Sequence, residues 1–203
     1  SRYIQQQPVL ERADVTLRGF DPDQGRGGLG SRFQGVASFA ASVLSTRARG
    51  DNSGNFGGGV VKQYCIIGAG ACGLPVVKAF IERGIPFDCF EALSDVGGIW
   101  NPQSPHVVYG STYLNSSKKL SKYPDYDFPE EWPHYLSRAQ AQDYLRSYAR
   151  EFGLYDHIKF NSRVASAERI DGRWRIQIEG ESKRRSYDGL IVANGHHWHP
   201  NWP

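Results

Sequence analysis

The hexapeptide GAGACG at residues 68–73 constrains this chain more than any other feature. It follows a β-rich run, QYCII at residues 63–67, and opens a stretch where Leu74, Val77, Phe80 and Ile81 recur at helical spacing. Gly84 suits the left-handed residue that ends such a helix, and Pro75 is tolerated because it falls in the first turn. Residues 87–90 (FDCF) then read as a second strand, ending at Glu91. Strand, glycine turn, helix and strand within about thirty residues make a βαβ unit, and such a unit requires parallel strands. The expected fold class is α/β.

Glycines at this junction serve more than the turn. Gly68 permits the sharp reversal, Gly70 lets the main chain approach a diphosphate, and Gly73 lets the helix lie close against the strand. The segment around Ala71 and Cys72 opens the helix, where unpaired N–H groups and the positive end of the helix dipole attract phosphate. Glu91, about twenty residues further on, is placed to accept hydrogen bonds from both hydroxyls of a ribose. The same carboxylate repels a 2′-phosphate: like charges ~4 Å apart at an effective dielectric of ~20 cost about 4 kcal/mol. The first nucleotide is therefore expected to be FAD or NAD, not NADP. A second glycine turn with an aromatic behind it, DVGGIW at residues 95–100, favours the longer FAD. There Gly98 allows another close main-chain approach and Trp100 offers a flat side chain near the far ring. On these residues alone, an NAD-dependent dehydrogenase domain and a non-catalytic dinucleotide-binding domain stay open.

The rest of the chain is divided unevenly. Residues 1–60 are rich in glycine and show no sustained period, so they are expected to form a disordered or low-complexity extension, with the FAD/NAD(P)-binding domain over residues 61–203. Glu11, Asp14, Asp21 and Asp23 argue against a targeting peptide in that extension. Further on, SRAQ at residues 137–140 predicts a capping box, followed by Ala141, Tyr144, Leu145, Tyr148 and Phe152 on one helical face and a stop at Gly153. Two alternating strands, residues 163–170 and 173–178, flank Asp171-Gly172, a strong hairpin signal. The apolar run LIVA at residues 190–193 predicts a strand buried on both faces of a parallel sheet.

Several functions are disfavoured. A net charge of +3 is too small to argue for nucleic acid or an anionic membrane, and no apolar run is long enough to span a bilayer. The aromatic stretch at residues 123–132 lacks interleaved Arg and Lys, so loop packing is expected rather than base stacking. His196, His197 and His199 lack an established fourth ligand, and no metal site is expected. Cys65, Cys72 and Cys89 form no CxxC pair and each falls within an expected strand or helix, as small buried apolar residues do. Reduced thiols fit a cytoplasmic location.

Five stretches together resemble the flavin-containing monooxygenase family: GAGACG (68–73), FEALSDVGGIW (90–100), YLNSSK (113–118), YPDYDFPEEWP (123–133) and IVANGHHWHPNWP (191–203). The related Baeyer–Villiger monooxygenases share the first two but usually continue with an Asn-x-Tyr-Pro-Gly pattern that is not seen here. The resemblance implies a Rossmann-like FAD-binding domain of the glutathione-reductase type, a parallel sheet with helices and a small antiparallel β-meander. It implies that NADPH reduces the flavin, that O2 adds at its C4a position, and that the hydroperoxide passes one oxygen to a small-molecule nitrogen or sulfur nucleophile. By position, Gly68, Gly70, Ala71, Cys72 and Gly73 match the pyrophosphate loop, Glu91 the ribose acceptor, and Gly98 and Trp100 the flavin edge. Asn115 matches the family asparagine near flavin and nicotinamide, the one catalytic residue implied. Asn115-Ser-Ser is also formally a glycosylation acceptor, a use not expected in a cytoplasmic flavoprotein. The chain lacks methionine and stops at Pro203, ahead of where the family places its NADPH loop and its FxGxxxHxxx(Y/F) stretch, so an incomplete domain is expected.

Overall fold

The computed structural model describes residues 63–104 and 108–195; the expected extension over 1–60 and the histidines at 196, 197 and 199 lie outside the described residues. The elements are β1 (Tyr64–Ile67), α1 (Gly73–Glu82), β2 (Phe87–Phe90), α2 (Lys118–Ser121), α3 (Arg138–Glu151), β3 (Ile158–Lys159), β4 (Val164–Ile170), β5 (Arg173–Ile178), β6 (Arg185–Tyr187) and β7 (Gly189–Val192). The βαβ unit forms as its sequence demands. β1 runs parallel to β2, with Tyr64 opposite Phe87 and Ile67 opposite Phe90. On its other edge β1 runs parallel to β7, and β3 extends the sheet beyond β2, giving the order β3-β2-β1-β7. A separate antiparallel sheet of order β4-β5-β6 supplies the meander.

Successive strand residues point to opposite faces, so β1 and β2 feed two cores. Ile66 and Cys89 face α1 and α3, where they join Leu74, Val77, Phe80, Tyr144, Leu145 and Tyr148. Cys65 and Phe90 face the meander and pack with Ile176, Ile178 and Tyr187. The sheet is therefore covered by helices on one side and strands on the other.

Local chemistry sets the element ends. Ser137 Oγ accepts from the Gln140 N–H and the Gln140 side chain accepts from the Ser137 N–H, the reciprocal box that starts α3. Gly153 (φ 63°) closes that helix and Gly84 (φ 59°) follows α1. Asp171 and Gly172 both take positive φ, the geometry a two-residue hairpin needs between β4 and β5. The aromatic stretch packs as a loop, with the Phe128 ring 3.9 Å and the Tyr126 ring 5.4 Å from that of Tyr144 on α3.

Two expectations need correction. The 190–193 run is not buried on both faces: β7 pairs with β1 alone among the described residues, and Val192 is 57% exposed. Cys72 is exposed, because it is the N-cap residue of α1 rather than part of its buried stripe, whereas Cys65 and Cys89 are fully buried.

Asp88 ties the two sheets together. It accepts from the Tyr187 hydroxyl at 2.6 Å and pairs with Lys159 at 2.6 Å. Burial alone would raise its pKa, but the hydrogen bonds from Lys159 and Tyr187 and the charges of Lys159 and Arg185 hold it below the ordinary carboxylate value. A depressed pKa contributes stability above the unfolded-state value, about 3.9, that is lost as pH falls through the folded-state value. Denaturation measured between pH 6 and pH about 2 should show a loss of stability beginning near pH 4. Asp88→Asn should flatten that limb, and an unchanged acid limb in the variant would remove Asp88 as its source.

Candidate cofactor site

The carboxyl ends of β1 and β2 meet at one corner, and the sequence-predicted residues gather there. Gly68 leaves β1 with φ 98°. A Cβ on it would stand 2.5 Å from the Ala193 carbonyl oxygen, so the exit from β7 closes one side of the turn. A Cβ on Gly73 would overlap the Gly68 carbonyl oxygen, which is the close helix–strand approach expected of the third glycine. Gly70 faces the second glycine turn. Its missing side chain points at the Gly98 Cα, 3.4 Å from where a Cβ would lie. The two glycine turns are in direct contact, and the Gly97 N–H donates to the Ala69 carbonyl at 3.1 Å.

Glu91 is turned inward and is only 5% exposed. One carboxylate oxygen accepts from the Ala69 N–H at 2.7 Å and the other from the Leu93 N–H at 2.9 Å. The side chain thus fastens the glycine loop after β1 to the segment after β2. Each oxygen has a second lone pair free in principle, as a ribose acceptor requires.

Helix α1 begins without a side-chain cap and without an acid in its first turn. Among the described residues no side chain caps this start, the Leu74 N–H bonds to the Gly70 carbonyl and Pro75 has no N–H, and the positive end of the helix dipole is of the kind that receives phosphate. Ala71 is held from the other side, where its carbonyl accepts from the Tyr123 hydroxyl at 2.6 Å. Tyr123 is in turn fixed by Tyr144, whose hydroxyl accepts from the Tyr123 N–H at 2.8 Å and donates to the Tyr126 carbonyl at 2.7 Å. Burial pushes the Tyr123 hydroxyl well above the usual tyrosine range, so it stays a donor. Sequence reasoning placed Tyr123 in a packing loop and missed this support of the glycine turn; no local pattern announces it.

Trp100 ends the short 3-10 turn Gly98–Trp100. It shares a small apolar cavity with Ala71, Leu114 and Tyr123. Asn115, next to Leu114, is exposed, on a segment tied to the start of α3 by the Leu114 N–H to Leu136 carbonyl bond and the Lys118 N–H to His134 carbonyl bond. The Lys118 ammonium donates to the carbonyls of Pro129, Glu130 and Trp132 and so pins the aromatic loop beside it. Gly68, Gly70, Ala71, Cys72, Gly73, Glu91 and Gly98 therefore form one corner, with Trp100 adjoining and Asn115 one residue removed. Among the described residues no cluster of His, Cys, Asp and Glu is arranged to hold a metal ion, and no helix is long and apolar enough to cross a membrane.

A parallel sheet with a glycine turn, an uncapped helix start and an inward acid defines a Rossmann-like dinucleotide-binding domain, here with an antiparallel meander. Comparison with known proteins identifies its kind: residues 61–203 match the family described as flavin-binding monooxygenase-like, and the chain belongs to that family. Rattus norvegicus flavin-containing monooxygenase 5 is 35% identical over 154 residues, 70% of this chain and 29% of that protein. Among solved structures, the Allium sativum S-allyl-L-cysteine S-oxygenase is 26% identical with a TM-score of 0.60, covering 71% of this chain and 38% of that one. An oxidized steroid monooxygenase bound to NADP is 27% identical with a TM-score of 0.57, covering 66% and 26%. The chain spans about three tenths of the length of the curated relatives it matches, 29%.

The inward bonds of Glu91 hold the corner together before any ligand arrives. Glu91→Gln turns an amide N–H toward one of the two backbone donors and removes the charge. It should cost about 2 kcal/mol of unfolding free energy without added cofactor, read by denaturant titration. An unchanged midpoint would contradict the fastening role.

Proposed function

We propose that this chain is the FAD-binding portion of an NADPH- and O2-dependent flavin monooxygenase that oxygenates soft nitrogen or sulfur centres of small molecules. The observation that carries the reading is the uncapped start of α1 facing a glycine turn whose neighbour is the buried Glu91 carboxylate. A dinucleotide suits both: diphosphate at the helix start, and ribose hydroxyls on the remaining lone pairs of the acid. Family membership favours FAD over NAD for that position. The NADP bound by the steroid monooxygenase supports a nicotinamide reductant, and the name of the Allium sativum enzyme supports oxygen transfer to sulfur.

The grouping of these residues at one corner supports a role for each in this reading. Gly68, Gly70, Ala71, Cys72 and Gly73 hold the diphosphate, Glu91 the adenosine ribose, and Gly98 and Trp100 the flavin side of the site. Bound FAD supplies the redox and oxygen-transfer chemistry that protein side chains lack. The chain's own task is to orient it and to exclude water, which the aromatic loop around Tyr123 and Phe128 does beside Trp100. Asn115 contributes an exposed amide, donor and acceptor both, one residue from that cavity, and is the group assigned to the flavin–nicotinamide contact. The free, buried thiols of Cys65 and Cys89 fit a cytoplasmic location.

The purified chain should show flavin absorption bands after incubation with FAD and desalting. Gly70→Val should lower retained flavin by at least about tenfold, since its methyl groups, directed at Gly98, push apart the two glycine turns assigned to the cofactor. Absence of flavin bands in the parent chain, or parent-level retention in Gly70→Val, would overturn the assignment.

A further inference from the structure

The second glycine turn is braced from within and from outside: the Asn101 amide donates to the Asp95 carbonyl at 3.1 Å and to that of Val96 at 3.3 Å. Four side chains from outside it hold it, three of them on a single stripe of α3. Arg138, Gln142 and Arg146 are spaced i, i+4 and i+8, so they share one face of that helix. The Arg138 guanidinium donates to the Asn101 carbonyl at 3.1 Å and to that of Trp100 at 3.4 Å. Arg146 pairs with Asp95 at 2.7 Å, and the Tyr155 hydroxyl donates to the same carboxylate at 2.9 Å.

Gln142 lies between them, 2% exposed. Its amide N–H donates to the Val96 carbonyl at 2.8 Å. Its Oε1 is buried, has no hydrogen-bond partner among the described residues, and lies against Gly97, where any Cβ would overlap the amide. A buried amide with an unsatisfied acceptor is a poor choice for packing alone, because an apolar side chain of that size would fill the space without desolvating a polar group. What the amide adds is direction. It fixes the Val96 carbonyl and selects glycine, at φ 119°, as the residue that follows.

We infer that Gln142 is a positioning residue for flavin binding: with Arg138 and Arg146 it forms a clamp on α3 that sets the second glycine turn against the first. The chain of contacts is short. Gln142 fixes Val96 and Gly97, the Gly97 N–H is bonded to Ala69, and Gly98 abuts Gly70, so the amide governs the height at which the two turns face a diphosphate. This inference rests on the proposed flavin function for its binding arm and on the protein alone for its exchange arm.

The test uses Gln142→Met, close in size and lacking donor and acceptor, with Arg146→Gln as a second variant at a partly exposed position. Three quantities are read on the full chain: global unfolding by denaturant, FAD affinity by fluorescence quenching, and amide hydrogen exchange over residues 95–101 without FAD. For Gln142→Met the expectation is an unfolding midpoint at or above that of the parent. Exchange over residues 95–101 should be about tenfold faster with β1 amides unchanged, and FAD binding about tenfold weaker. Arg146→Gln should shift exchange and affinity in the same direction by a smaller factor, and it carries the test if Gln142→Met does not fold. A residue that merely packs predicts the reverse, a lowered midpoint with exchange and affinity following global stability, and that result overturns the inference. Parent-level exchange and affinity in both variants overturns it as well. If the parent chain binds no FAD, the proposed function fails, and the exchange arm still decides whether the clamp exists.

Discussion

The Glu91 carboxylate, shared between the Ala69 and Leu93 N–H groups, is the interaction on which the arrangement depends. It joins the segments that leave two adjacent parallel strands, and it does so with a charge buried at 5% exposure. A buried carboxylate is stable only when its oxygens are well bonded, so the glycine loop is held wherever this acid is satisfied. Binding of a sugar hydroxyl would add to bonds already formed. The corner is therefore ordered in advance, which lowers the entropic cost of taking up a flexible dinucleotide.

Around that bond the molecule is arranged in shells. The sheet is covered by α1 and α3 on one face and the meander on the other, which leaves the carboxyl ends of β1 and β2 as the place where loops converge. That is where open α/β sheets generally bind ligands. Tyr123 reaches the glycine loop from the aromatic segment, and α3 reaches the second glycine turn through polar side chains. The parts of the chain farthest from the glycine motif thus act on it through main-chain carbonyls, groups whose positions depend on fold rather than on residue identity.

What was legible in the sequence was governed by local chemistry. The βαβ unit followed from glycine placement and helical spacing, the start of α3 from the Ser137–Gln140 box, and the β4–β5 hairpin from Asp171-Gly172, each a matter of a few adjacent residues. Other features depended on partners distant in sequence. Arg138, Gln142 and Arg146 carry no sequence signal of their own, and only the turn docked against them shows what they hold. The sequence motifs give no sign that Gly70 and Gly98 lie against each other, a contact between two turns that are separate in sequence. The apolar run at residues 190–193 read as buried on both faces of a parallel sheet; it does join the parallel sheet, while Val192 is 57% exposed among the described residues. Cys72 read as buried because a helix boundary one residue away decides whether a side chain joins the core stripe or caps the end.

The central claim is that a dinucleotide diphosphate sits on the opened start of α1, beside an acid already turned inward. Titration of the isotopically labelled chain with FAD, followed by backbone amide NMR, tests it most directly. The largest shifts are expected at Ala69, Gly70, Ala71, Cys72 and Gly73, with further shifts at Leu93 and Gly98 and little change in the β4–β5 hairpin. Saturable binding that leaves the amides of residues 69–73 unmoved would contradict it.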